Sequence, residues 1–197
     1  MTVPMARPGG FYGGDQHWFP ARRQQVRGCG AVAACNLLAA RAAGGGPLGP
    51  LAPDGAGTRE GFLAFMQQLY ARLGPGPVGV WSRKRWTRAV LAWGEEQGVP
   101  LRAESVSYRA GEAACTAFLR EQLARGRPVA ALSLRVGWPR RRPYDWHWLV
   151  ITGLEGETMT LSSWGRQLRE SWPVYYRRAH RALLQGGLVT IEQAHPL

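Results

Sequence analysis

The sequence predicts one α+β domain over residues 1–197, and three observations carry that reading. Apolar residues recur at helical spacing through most of the first half. From Leu101 onward the dominant period shortens to two. Short breaks rich in turn residues separate the later runs. Helices first and strands after imply helices packed against an antiparallel sheet.

Residues 1–28 read as an irregular arm, because Pro4, Pro8, Gly9, Gly10, Gly13, Gly14 and Pro20 interrupt any regular element. Phe11, Tyr12, Trp18 and Phe19 are interleaved among them, so the arm is expected to pack on the domain. Residues 29–43 are rich in Ala and Leu, with Val32, Cys35, Leu38 and Ala39 at helical spacing. The stretch 44–57 is a long loop of turn residues, a candidate for mobility or insertion. Thr58 stands as the N-cap of a second helix whose stripe is Phe62, Phe65, Met66, Leu69 and Leu73, and the run 74–79 stops it. A third helix is expected near 83–97, with Trp86, Val90, Leu91 and Trp93 inward. A strand over 101–108 follows, then a helix over 111–125. Further strands are read at 128–136, 146–153, 157–163 and 187–192. Residues 172–181 fit neither period.

Hydrophobic residues make up 45% of the chain, enough for a real core, and no apolar run reaches the roughly 18 residues a membrane span needs. The first residues lack the charged start and apolar stretch of a signal peptide. The expectation is a cytoplasmic protein with no membrane partner. Cysteines at 29, 35 and 115 form no CxxC pair and the four histidines show no ligand spacing. Neither a disulfide framework nor a metal or other cofactor is therefore expected. The net charge of +12 raises the question of an anionic partner. Lys84 is the only lysine, so arginine supplies almost all of that charge, alongside abundant Ala, Gly and Pro. That is the composition of a GC-rich genome. No zinc-finger, basic-zipper or RNA-recognition motif accompanies it, and the surface is read as solvated rather than as a nucleic-acid interface.

Two residues carry the candidate chemistry. Cys29 opens the first strong helix between Gly28 and Gly30. A thiol there meets the positive end of the helix dipole, which favours thiolate. The flanking glycines would let a substrate approach the backbone, and the Cys29 N–H would serve as an oxyanion donor. Taken alone, Cys29 reads equally well as a small buried hydrophobe. In the run 144–153, Trp146, Trp148 and Val150 alternate with His147, Leu149 and Ile151. A histidine on the apolar face of a strand is usually a core residue. Ser162 changes that reading: a strand, a two-residue turn and a second strand would bring it back beside His147, as an orienter of the imidazole.

Taken together, these segments resemble the papain-like cysteine peptidases. Gly28-Cys29-Gly30 before an Ala-rich helix is similar to their nucleophile motif, and closer to the bacterial branch that includes the double-glycine leader peptidases. His147-Trp148-Leu149-Val150-Ile151-Thr152-Gly153 resembles that branch's histidine strand. Ser162-Ser163-Trp164-Gly165 is similar to the Asn-Ser-Trp-Gly motif of papain. The resemblance covers about residues 11–40 and 144–176 and implies a papain-like α+β fold. Cys29 would be nucleophile, His147 base and Ser162 orienter, in a position that holds Asn or Asp elsewhere in the family. Serine brings no charge; Asp145 is the residue placed to supply some. The family's second oxyanion donor is a Gln upstream of the Cys. Gln16, Gln24 and Gln25 all qualify, and Gln16 is preferred for its Gly-rich loop and aromatic anchor. By the same resemblance Trp164 would cover the Cys29–His147 pair, with Gly28 and Gly30 lining the substrate path. Cys35 and Cys115 read as core.

The function expected is a thiol hydrolase or acyl-transfer enzyme acting on peptide or amide bonds through a thioester. The first alternative is a weak or inactive papain-like binding module; the second is a basic protein associated with nucleic acid. The basic turn Pro139-Arg140-Arg141-Arg142-Pro143 would bias the site toward acidic substrates.

Overall fold

The computed structural model describes residues 2–135, 144–182, 184 and 186–194. Its helices are α1 (Arg22–Arg27), α2 (Cys29–Ala42), α3 (Arg59–Leu73), α4 (Arg83–Glu96), α5 (Glu112–Ala124) and α6 (Trp172–His180). Its strands are β1 (Leu101–Ser107), β2 (Val129–Ser133), β3 (His147–Glu155), β4 (Thr158–Ser163), β5 (Arg166–Ser171) and β6 (Gly187–Gln193). The strands form one antiparallel sheet in the order β1-β6-β2-β3-β4-β5. The α+β class is as the sequence predicts.

Helices cover both faces of the sheet, so β2 and β3 are buried on both sides. Trp148 and Val150 of β3 join the core beneath α2, α3 and α4. Leu149 and Ile151 join the second core, beneath α5 and α6. The period-2 alternation read from 146–153 thus assigns each side chain to the correct face. Every residue from Gly30 to Ala40 in α2 is buried. A helix apolar all round belongs in the interior, and α2 sits between α3 and the β3 face of the sheet.

The boundaries of α3 follow from its sequence. The Thr58 hydroxyl accepts from Gly61 N–H at 3.0 Å, a cap worth about 1 kcal/mol. Gly74 ends the helix at φ +50°, the left-handed conformation glycine adopts cheaply. Phe62, Phe65, Met66, Leu69 and Leu73 are all buried. In α4 the inward set is Trp86, Ala89, Val90, Trp93 and Gly94; Leu91 is only half-buried.

Three expectations need correction. The loop 44–57 is tied down in its middle: Leu51 is fully buried and its carbonyl accepts from Trp93 Nε1 at 2.9 Å. Strand β5 escaped notice because it is a solvated edge strand with no apolar alternation, only Leu168 being half-buried. Residues 172–180 are helical, with Pro173 in the first turn where its missing N–H costs nothing. The basic turn 139–143 lies outside the described residues.

The arm over residues 2–20 packs on the domain as expected. Val3 N–H donates to Thr152 at 2.7 Å, Tyr12 N–H to Gly165 at 2.9 Å, and Gly165 N–H returns to Gly14 at 3.0 Å. Phe19 is buried, and Trp18 meets Phe62 edge to face at 6.4 Å. The irregular reading overlooked two short 3-10 turns, Pro8–Gly10 and Gln16–Trp18, and helix α1.

Candidate active site

A narrow cavity with room for about one water-sized sphere (≈10 Å³) lies between the start of α2 and the β3–β4 hairpin. Gln16, Cys29, His147, Ser162, Ser163 and Trp164 share its lining with Asn36 of α2. Residues far apart in sequence converge there because α2 crosses beneath β3 while the arm is strapped over the β4–β5 turn.

The start of α2 is clamped from two sides. Trp86 Nε1 donates to the Gly30 carbonyl at 2.8 Å, and the Trp86 ring stacks on Trp148 at 4.8 Å. Trp146 and Trp148 hold the segment 78–80 through indole N–H bonds to Val78 and Val80, each 2.6 Å. The glycines beside Cys29 answer to this packing rather than to a substrate. A Cβ on Gly28 would meet Phe19 at 2.5 Å, and one on Gly30 would meet Val80 at 3.1 Å. Both glycines are buried against their own chain, so the close packing of α2 accounts for them without a substrate.

Cys29 is half-buried, while Cys35 and Cys115 are buried as expected. The depressed thiol pKa anticipated from the helix start is not found. Burial pushes the Cys29 thiol up, and the backbone N–H groups of Trp148, Gly30 and Cys29 offset only part of that effect. Burial likewise pushes His147 down, from 6.5 to about 4. Desolvation therefore favours the neutral thiol and the neutral imidazole.

His147 is oriented by Ser163, not Ser162. His147 Nε2 lies 2.8 Å from Ser163 Oγ. Ser162 instead donates to the Tyr12 carbonyl at 2.8 Å and accepts from Asn36 Nδ2 at 3.1 Å. The reason is a one-residue bulge in β3. The hairpin begins with Glu155 opposite Thr158, but the register shifts between Ile151 and Gly153, leaving Val150 opposite Ser162. Without that shift Ser162 would share the His147 face. With it, the two serines exchange faces. Thr152, the extra residue, is where the arm docks: its hydroxyl lies 3.0 Å from the Tyr12 hydroxyl.

Trp164 covers His147, with ring centroids 4.7 Å apart and planes 21° from parallel. Tyr144 continues the stack at 5.5 Å from Trp164 and lies 6.3 Å from His147. Tyr144, Trp146 and Trp164 all have positive φ, at 68°, 50° and 51°. Bulky residues in that region cost about 1–3 kcal/mol each and concentrate at functional sites. Asp145 does not line the cavity that holds the imidazole. It lies 3.9 Å from Arg135 and lines a separate cavity, because β3 begins only at His147 and the strained residues before it turn the chain away.

Among the three glutamines, Gln16 lines the cavity. Gln25 braces the loop that carries it, donating to the Phe19 carbonyl at 2.8 Å. Gln24 caps α1 through a 3.4 Å bond from Ala21 N–H. Asn36 was missed by sequence reasoning. It is almost fully buried, accepts from Gly14 N–H at 2.8 Å and so fixes the arm that presents Gln16. Its signal was available: a lone amide in an Ala- and Leu-rich helix, seven residues past Cys29 and on the same face. Gly13 completes the junction, since a Cβ there would lie 2.7 Å from both Asn36 and Ser162.

Among the described residues, no cluster of His, Cys, Asp or Glu is arranged to hold a metal, and no helix is long and apolar enough to cross a membrane. No family model and no curated protein matches this chain.

Proposed function

We propose that this chain is a papain-like thiol hydrolase or acyl-transfer enzyme, with Cys29 as nucleophile, His147 as general base and Ser163 as the group that orients it. The observation that carries the reading is the Ser163–His147 bond, which shares a cavity with the Cys29 helix start. With Nε2–H donating to Ser163, Nδ1 presents its lone pair to the thiol. As the sulfur attacks an amide or ester carbonyl carbon, Nδ1 accepts the S–H proton and the carbonyl π pair moves to oxygen. The oxyanion is met by the Cys29 N–H at the start of α2 and by the Gln16 side chain. Collapse expels the leaving group, which takes its proton from the imidazolium. Water or an amine then resolves the thioester.

A neutral resting pair suits this concerted proton transfer rather than a preformed thiolate. It also favours a second reading, a papain-like module that binds peptides without turning over, because the group held against His147 Nε2 is an uncharged serine. Reaction with p-nitrophenyl acetate separates the two. The enzyme reading expects a burst of nitrophenolate, acetyl on the Cys29 peptide by mass spectrometry, and continued turnover. A burst with no turnover supports the binding module. Acetyl on Cys35 or Cys115 instead removes Cys29 as nucleophile.

A further inference from the structure

We infer that an arginine-lined groove beside the site recognises an acidic segment of the peptide that Cys29 acts on; this rests on the proposed thiol chemistry. Arg135, at the end of β2, and Arg177, Arg178 and Arg181, at the end of α6, line one open groove of about 500 Å³ with Val174. Val174 and Arg178 also line the neighbouring smaller cavity, which reaches Tyr144, Asp145 and Glu170. The Tyr144 ring is the wall between that cavity and His147, 6.3 Å from the imidazole. The groove and the small cavity beside it therefore end one aromatic ring away from His147.

The cations facing this groove are only partly neutralised. Arg135 lies 3.9 Å from Asp145. Among the described residues no carboxylate forms an ion pair with Arg177, Arg178 or Arg181. Arginines in the last turn of α6 complement its dipole, but that role does not call for a fourth arginine from β2 facing the same groove. Converging guanidinium groups with free donors match carboxylates, which they bind in bidentate fashion.

The inner cavity selects the kind of anion. It offers acceptors and hydroxyls, with Tyr144 Oη donating to Glu170 at 3.2 Å and Asp145 beside it. Carboxylates at that inner end disfavour a continuous phosphate backbone, which would have to run past them, whereas a peptide can confine its charge to the arginine groove. The exposed Val174 side chain supplies apolar contact between the two. The outer cations fit a peptide whose acidic residues lie a few positions from the bond that meets Cys29.

The test is fluorescence anisotropy with Cys29→Ala protein, so that binding is read apart from chemistry at the thiol. The probes are a fluorescein-labelled glutamate-rich peptide, its glutamine counterpart and a labelled single-stranded oligonucleotide. The glutamate peptide should bind more tightly than the glutamine peptide, less so as salt rises. Adding Arg177→Gln, Arg178→Gln and Arg181→Gln should weaken it roughly tenfold, the sum of three exposed ion pairs. The corresponding Lys substitutions should restore part of that loss, which a folding defect would not allow. Equal affinity for the two peptides, or no loss in the Gln variant, would overturn the inference. Loss confined to the oligonucleotide would overturn it in favour of nucleic acid. Failure of Cys29 acetylation with peptide binding intact would instead reject the catalytic reading and leave the groove as a binding surface.

Discussion

Two faces of the same hairpin behave differently, although adjacent serines point into them. On the α2 face, Ser162, Asn36 and the Tyr12 and Gly14 backbone form a closed set of neutral hydrogen bonds that fixes the arm. On the opposite face, Ser163 holds a titratable ring between the cavity and two stacked aromatics. The first network joins neutral groups and fixes the arm. The second holds Nε2 of His147, and the proposed mechanism draws on the other ring nitrogen. A serine's role here is set by strand register, and one bulged residue decides it.

The face that titrates should declare itself in stability. His147 is held near 4 when folded against 6.5 when free. At low pH the unfolded chain takes up a proton that the native ring resists. Stability from this group is complete above about pH 6.5 and declines as pH falls toward about 4, by roughly 3 kcal/mol. Urea unfolding across that range should show the decline, and His147→Gln should flatten it. An unchanged slope in His147→Gln would mean that carboxylates elsewhere dominate. The α2 face contributes no such slope.

The paired serine variants come next in size. Ser163→Ala should slow acetylation of Cys29 about tenfold or more, through a disoriented ring. Ser163→Asp should raise the His147 pKa by placing a carboxylate against Nε2. Ser162→Ala should instead cost about 1–2 kcal/mol of stability because Asn36 Nδ2 and the Tyr12 carbonyl lose a buried partner. Its effect on rate should be smaller than that of Ser163→Ala; the opposite ranking in the acetylation assay would restore Ser162 as orienter. The smallest effect is expected from Trp164→Ala. It should remove a stack worth about 0.5–1.5 kcal/mol, relieve some backbone strain and let water reach the imidazole. NMR titration should then find the His147 pKa moved toward its ordinary value.

Much of the fold was legible because burial follows period. The stripe in 58–73 and the alternation in 146–153 each name the residues that the structure buries. Cys29, His147, Gln16, Ser162 and Trp164 were singled out by motif and order, and all five line one cavity. The Ser163 contact was not, because a β-bulge at Thr152 leaves no mark in composition: a Thr in a strand looks the same paired or bulged. Edge strand β5 was hidden by its solvation on both faces. The thiol pKa was misjudged because a sequence shows where a helix begins but not how completely its first residue is desolvated. The glycines beside Cys29 illustrate the same gap, since Phe19 and Val80 reach them only through the tertiary fold.

The central claim is that His147 activates Cys29. Its most direct measurement is the rate of Cys29 acetylation near neutral pH in the wild-type protein and in His147→Ala, followed by mass spectrometry of the Cys29 peptide. A buried thiol held above its ordinary pKa has little thiolate of its own, so loss of the base should slow acetylation by about 10²–10⁴-fold. Equal rates in the two proteins would show that the imidazole takes no part, and would contradict the account.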